Sequence, residues 1–124
     1  MFKPVTSEPV PYVLEADRQN DPSTRFWMTP QTADQTQAYL SRYARTAQRG
    51  SQDDAARAAR LTKYDREHVL SILSRVENAY EAGDDLTEPE DLARVVGDLD
   101  YRALQELSTA AQSMSVLKES EKNF

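Results

Sequence analysis

The sequence contains no cysteine. A disulfide framework, a thiolate metal site and a cysteine nucleophile are therefore excluded. It contains a single histidine, His68, which excludes a multi-histidine metal centre and most histidine-based proton relays. Three glycines leave no glycine-rich loop of the kind that cradles phosphate. No apolar run reaches the ~18 residues of a membrane span, so none is expected. The opening Met1-Phe2-Lys3-Pro4-Val5 has no apolar stretch of the length a secretion signal needs. A cytoplasmic location is the expectation, and these absences together argue against an enzyme.

What remains is the composition of a small globular protein. The chain has 124 residues, 39% hydrophobic and 29% charged, enough for one domain with a thin core. The net charge of −6 is unevenly placed. Residues 1–60 carry a balance of +1 and residues 61–124 a balance of −7. Arg42, Arg45, Arg49, Arg57, Arg60, Lys63 and Arg66 make a basic segment, and Glu77 to Asp100 an acidic one. Such runs commonly form solvated helix faces. They also suit a dipolar molecule that self-associates head to tail or docks a basic partner. An acidic chain without interleaved basic and aromatic residues is a poor match for nucleic acid.

Five of the six prolines lie within the first 30 residues. Val10-Pro11-Tyr12-Val13-Leu14 and Thr24-Arg25-Phe26-Trp27-Met28 read as two short strands, with a turn at Asn20-Asp21-Pro22-Ser23. A hairpin of this size is marginal alone, so its apolar face must pack on helices or another chain. Helix one is expected from a Thr29 cap and Pro30, with Tyr39, Leu40, Tyr43, Ala44 and Ala47 on one face and Gly50 as its stop. Helix two is expected from Ser51, capped with Asp54, through Leu61, Val69, Ile72, Leu73, Val76 and Tyr80 to Gly83, with a break near Tyr64-Asp65. Helix three opens at Thr87-Glu88-Pro89-Glu90, is interrupted at Gly97, and restarts at Asp98 or Asp100 toward Met114. The expected fold is mainly α: an N-terminal β-hairpin arm, residues 1–29, packed on a helical domain of about three helices, residues 30–124. With few large apolar residues per helix, part of the stability is expected from oligomerisation or a partner.

Three clusters invite a chemical reading. His68 lies beside the apolar stripe of helix two with Asp65 one turn earlier, half of a nucleophile-activating pair. No nucleophile accompanies it, and a boundary histidine paired with Asp65 is the plainer reading. Asp84, Asp85, Glu88, Glu90 and Asp91 resemble a calcium loop only in charge. Pro89 and the capping pattern break the alternation of ligands, and acidic groups there suit a helix N-terminus. No metal or cofactor is expected. On a strand, Phe26 and Met28 share one face while Trp27 takes the other, and tryptophan is a preferred interface anchor.

The pattern Val10-Pro11-Tyr12-Val13-Leu14, Asp17-Arg18, Asp21-Pro22 and Thr24-Arg25-Phe26-Trp27-Met28-Thr29-Pro30 resembles the opening of the tail assembly chaperones of tailed phages. The stretch Leu99, Leu104, Glu106, Leu107 and the ending Leu117-Lys118-Glu119-Ser120-Glu121-Lys122-Asn123 are similar to the leucine-rich helix and charged tail of such proteins. The resemblance implies a non-catalytic role in phage morphogenesis in the host cytoplasm. Such a protein would cover the long helical tape measure protein, self-associate, and stay clear of membranes. Tyr12, Phe26, Trp27, Asp84, Asp85, Glu88 and Asp91 are the expected partner-binding residues, the aromatic side chains as anchors and the acidic ones setting orientation. The alternatives are a permanent virion component, such as a head–tail connector or decoration protein, and an acidic inhibitor of a host nuclease or defence complex.

Overall fold

The computed structural model describes residues 8–48 and 54–121. In chain order the elements are β1 (Val10–Tyr12), β2 (Arg25–Met28), α1 (Ala33–Gln48), α2 (Asp54–Ile72), β3 (Leu73–Glu77), β4 (Asp85–Leu86), α3 (Pro89–Asp98) and α4 (Tyr101–Glu121). The fold is mainly α with an N-terminal hairpin, as the sequence implies. Four helices stand where about three were expected, because the last one divides at Leu99-Asp100. Asp100 restarts the chain as α4 by accepting the Ala103 N–H at 2.8 Å, the work of an N-cap.

The hairpin does form, with Tyr12 opposite Phe26 and Val10 opposite Met28. It is not an arm apart from the rest. β2 pairs on its other side with β3, giving an antiparallel sheet of order β1-β2-β3-β4. This overturns the single long helix expected from residue 51 to Gly83. α2 runs unbroken through Tyr64-Asp65 and ends at Ile72, and the next five residues are a strand. Ile72, Leu73, Val76 and Tyr80 fit a helical stripe equally well, so periodicity alone does not separate the two states. Pairing decides: β2 carries the buried Phe26 and Met28, and its open edge needs a neighbour to satisfy its backbone groups. Ser74 is an extra residue in β3, since Trp27 faces Arg75 while Met28 faces Leu73. Its hydroxyl donates to the Trp27 carbonyl at 3.1 Å, fastening this bulge.

Gly83 is likewise not a helix stop. It sits at φ +88° inside the β3–β4 loop, where Asn78 also takes a left-handed conformation at φ 57°. The expected caps shift as well. The cap of α1 is Thr32, three residues after Thr29, in a reciprocal box in which the Gln35 N–H donates to Thr32 Oγ1 at 3.2 Å and the Thr32 N–H to Gln35 Oε1 at 2.9 Å. Thr29 instead donates its N–H to the Ile72 carbonyl at 2.8 Å. α3 has Glu88 at its N-cap and Pro89 in its first turn, with no side-chain capping bond. The expected ends at Gly50 and Ser51 lie outside the described residues.

The core lies between one sheet face and three helices. Phe26, Met28, Leu73 and Val76 meet Val69, Ile72, Leu92, Val95, Val96, Leu104, Leu107, Ala110 and Ala111. Burying each of the larger side chains contributes about 1.5–3 kcal/mol. α1 is attached differently. Its buried apolar residue is Tyr39, and Leu40 stays 46% exposed. Hydrogen bonds and ring contacts hold it: the Tyr64 hydroxyl donates to the Tyr39 carbonyl at 3.1 Å, and the Tyr39 ring stacks on Tyr64 and on His68.

Candidate functional site

The sheet has one covered face and one open face. Strand alternation turns Phe26, Met28 and Val76 onto the helices and leaves Pro11, Arg25, Trp27, Arg75, Glu77 and Asp85 on the other side, none of them buried. Trp27 is at the centre of this open face. Its indole N–H donates to Glu77 Oε1 at 2.5 Å. The Arg75 guanidinium sits 5.2 Å from its ring centre, within cation–π range. Arg75 also donates to Asp85 Oδ1 at 2.7 Å and lies 3.6 Å from Glu77. The bond to Asp85 raises the already high Arg75 pKa. The ring is thus held in one orientation by charged neighbours on β3 and stays partly exposed. Such a face can take an extended or helical segment that covers the indole and trades charges with the Arg75, Glu77 and Asp85 lattice.

The sequence-based expectations divide on this surface. Trp27 and Asp85 are brought together, and Trp27 faces outward as the alternation implies. Phe26 is corrected: it is 2% exposed, opposite Tyr12 and Val76 on the inner face, and belongs to the core. Tyr12 is half-buried and fastens the hairpin to α4, its hydroxyl donating to Glu106 Oε2 at 2.7 Å. The same carboxylate oxygen accepts the Glu15 N–H at 2.8 Å, so Tyr12 helps tie the N-terminal segment to α4. Asp84 is also used internally. Its carboxylate accepts the N–H groups of Ala79, Tyr80 and Glu81 at 2.7, 3.1 and 3.1 Å. These bonds to the charged form pull its pKa below the usual carboxylate value despite partial desolvation. Glu88 and Asp91 belong to the start of α3 and not to the sheet.

Arg75 and Glu77 complete the face, and sequence reasoning gave neither a role in it. The signal available was weak: the bulged Ser74 puts two outward residues in succession and disrupts the period of two.

His68 and Asp65 do not form the expected pair. His68 Nδ1 is 2.5 Å from Ser108 Oγ, and Nε2 is 3.0 Å from Gln31 Oε1. Burial pushes the ring pKa down to about 4, so the imidazole is neutral at pH 7. Asp65 instead accepts the Tyr39 hydroxyl on Oδ1 at 2.9 Å. The two residues line different hollows on either side of Tyr39.

Among the described residues no helix is long and apolar enough to cross a membrane. No family model matches the sequence, and neither the curated proteins nor the solved structures compared with it yield a match.

Proposed function

We propose that the chain is a non-catalytic protein-binding protein of phage morphogenesis, a tail assembly chaperone that covers the tape measure protein in the host cytoplasm. The carrying observation is the open sheet face, where an oriented Trp27 stands among Arg75, Glu77 and Asp85. A partly exposed aromatic anchor on a paired strand, ringed by charges that set orientation, suits an interface hot spot. The resemblance of residues 10–30 to the opening of tail assembly chaperones supplies the class of partner, and the excess of acidic residues keeps a loaded complex soluble. Self-association belongs to the same reading.

Co-expression with the tape measure protein tests it. The wild-type chain keeps that long protein in the soluble fraction. Trp27→Asp loses capture while its circular dichroism stays that of the wild type, and Trp27→Phe retains part of it. Truncating a hot-spot tryptophan costs about 2–4 kcal/mol of binding. A tape measure protein that stays insoluble beside the wild-type chain overturns the proposal. So does abundant presence of the chain in purified particles, which marks a permanent virion component.

A further inference from the structure

A second feature lies away from the sheet, between α1, α2 and α4. A cavity of about 240 Å³ is lined by residues of all three helices, with Tyr39, Leu40 and Tyr43 on one side, Gln105 and Ser108 on another, and Asp65 among them. Asp65 is 1% exposed. Its Oδ1 takes the Tyr39 hydroxyl, while Oδ2 is buried with no hydrogen-bond partner among the described residues. It takes no part in the two ion pairs of Arg75. A buried carboxylate with half its acceptor capacity unused is costly, and a cation relieves that cost. The walls suit a cation too. The Tyr43 ring, 6.0 Å between centres from Tyr39 and tilted at 46° to it, also lines the cavity, while the Tyr39 ring is already stacked on Tyr64 and His68. Leu40, 46% exposed at the rim, offers an apolar surface for a hydrocarbon stem.

We propose that this cavity binds a primary alkylammonium group, its charge seated on Asp65 Oδ2 and its alkyl stem against Leu40 and Tyr43. The donor set selects the ligand class. A single carboxylate oxygen beside tyrosine rings favours one compact organic cation over a divalent metal, which demands several oxygen ligands. An anion is repelled by the same group. Oδ2 is sealed from solvent, so seating the ammonium on it requires side-chain movement. The site is independent of the Trp27 face, and failure of either proposal leaves the other standing.

Titration with n-butylammonium chloride at pH 7, followed by NMR, is the direct test. Binding moves the Asp65 side-chain carboxyl signal and the Tyr39 and Tyr43 ring signals together and saturably. Isosteric Asp65→Asn keeps the acceptor for the Tyr39 hydroxyl and weakens binding roughly tenfold or more, as loss of a charge-assisted bond requires. The wild-type protein supplies a control that needs no variant: n-butanol, with the same stem and no charge, binds at least tenfold more weakly. Tighter binding of Nα-acetyl-lysine methylamide than of n-butylammonium assigns the cation to a lysine of a polypeptide. The reverse order assigns it to a free amine. Equal binding of n-butanol, an unaltered affinity in Asp65→Asn, or no saturable change at the Asp65 carboxyl overturns the proposal. The last result leaves Asp65 a buried neutral acid or a water-bound carboxylate.

Discussion

His68 is a polar side chain made part of the interior by two specific partners. Ser108 and Gln31 occupy both ring nitrogens, and the Tyr39 ring covers it at 3.8 Å between centres. With its pKa near 4, the folded chain refuses a proton that the unfolded chain accepts below about pH 6.5. Stability therefore falls as the solution is acidified from about 6.5 toward 4, by up to about 3 kcal/mol from this group. Asp65 acts in the opposite direction, because burial raises its pKa and lets the folded state hold a proton that the unfolded state releases. Urea denaturation across this range separates the two. The acid-side decline is shallower in His68→Gln than in the wild type, and equal slopes rule His68 out as its source. The position of His68 beside an apolar stripe is legible in the sequence. Its partners are not, since Ser108 and Gln31 are 40 and 37 residues away and only the packing of α4 and the approach to α1 deliver them.

Among the helices, α1 is the one held by rings and hydrogen bonds more than by apolar burial. Tyr39 is its buried apolar residue, whereas α3 and α4 each bury three or more. Elements with little buried apolar area open at lower free energy than the rest. Native-state hydrogen exchange is expected to show α1 amides opening below the global unfolding free energy, with α4 and the second half of α2 opening only with it. Equal protection across the three contradicts this. Element boundaries also mark the limit of what local sequence conveys. The hairpin is readable because Arg25-Phe26-Trp27-Met28 alternates cleanly, and the restart of α4 because Asp100 is a strong local signal, whereas the interruption expected at Gly97 does not occur, since α3 runs through it to Asp98. β3 is not readable. Its bulge breaks the alternation, its apolar residues also satisfy a helix, and the edge of β2 that fixes its state lies about 50 residues upstream, as the separation of Trp27 from Glu77 records. The candidate face shares this fate: Trp27 is visible in advance, while Arg75 and Glu77 become its neighbours only when β3 pairs.

The charge asymmetry belongs to the molecule as a whole. Basic residues collect on α1 and α2, and acidic ones on the β3–β4 loop and the start of α3. The proposed self-association, if it joins these ends, is an exposed electrostatic contact and is screened by salt. Sedimentation velocity is expected to show the associated fraction falling as ionic strength rises from about 0.05 M to about 0.5 M, where the screening length shrinks severalfold. An associated fraction that grows with salt points to an apolar interface instead.

Both margins of the sheet are poor templates. β1 is three residues long with Pro11 at its middle, and β4 has only two residues. Neither offers an incoming backbone enough donors and acceptors to zip onto. Edge-to-edge recruitment of one copy by another into fibrils is therefore disfavoured at both of these strands.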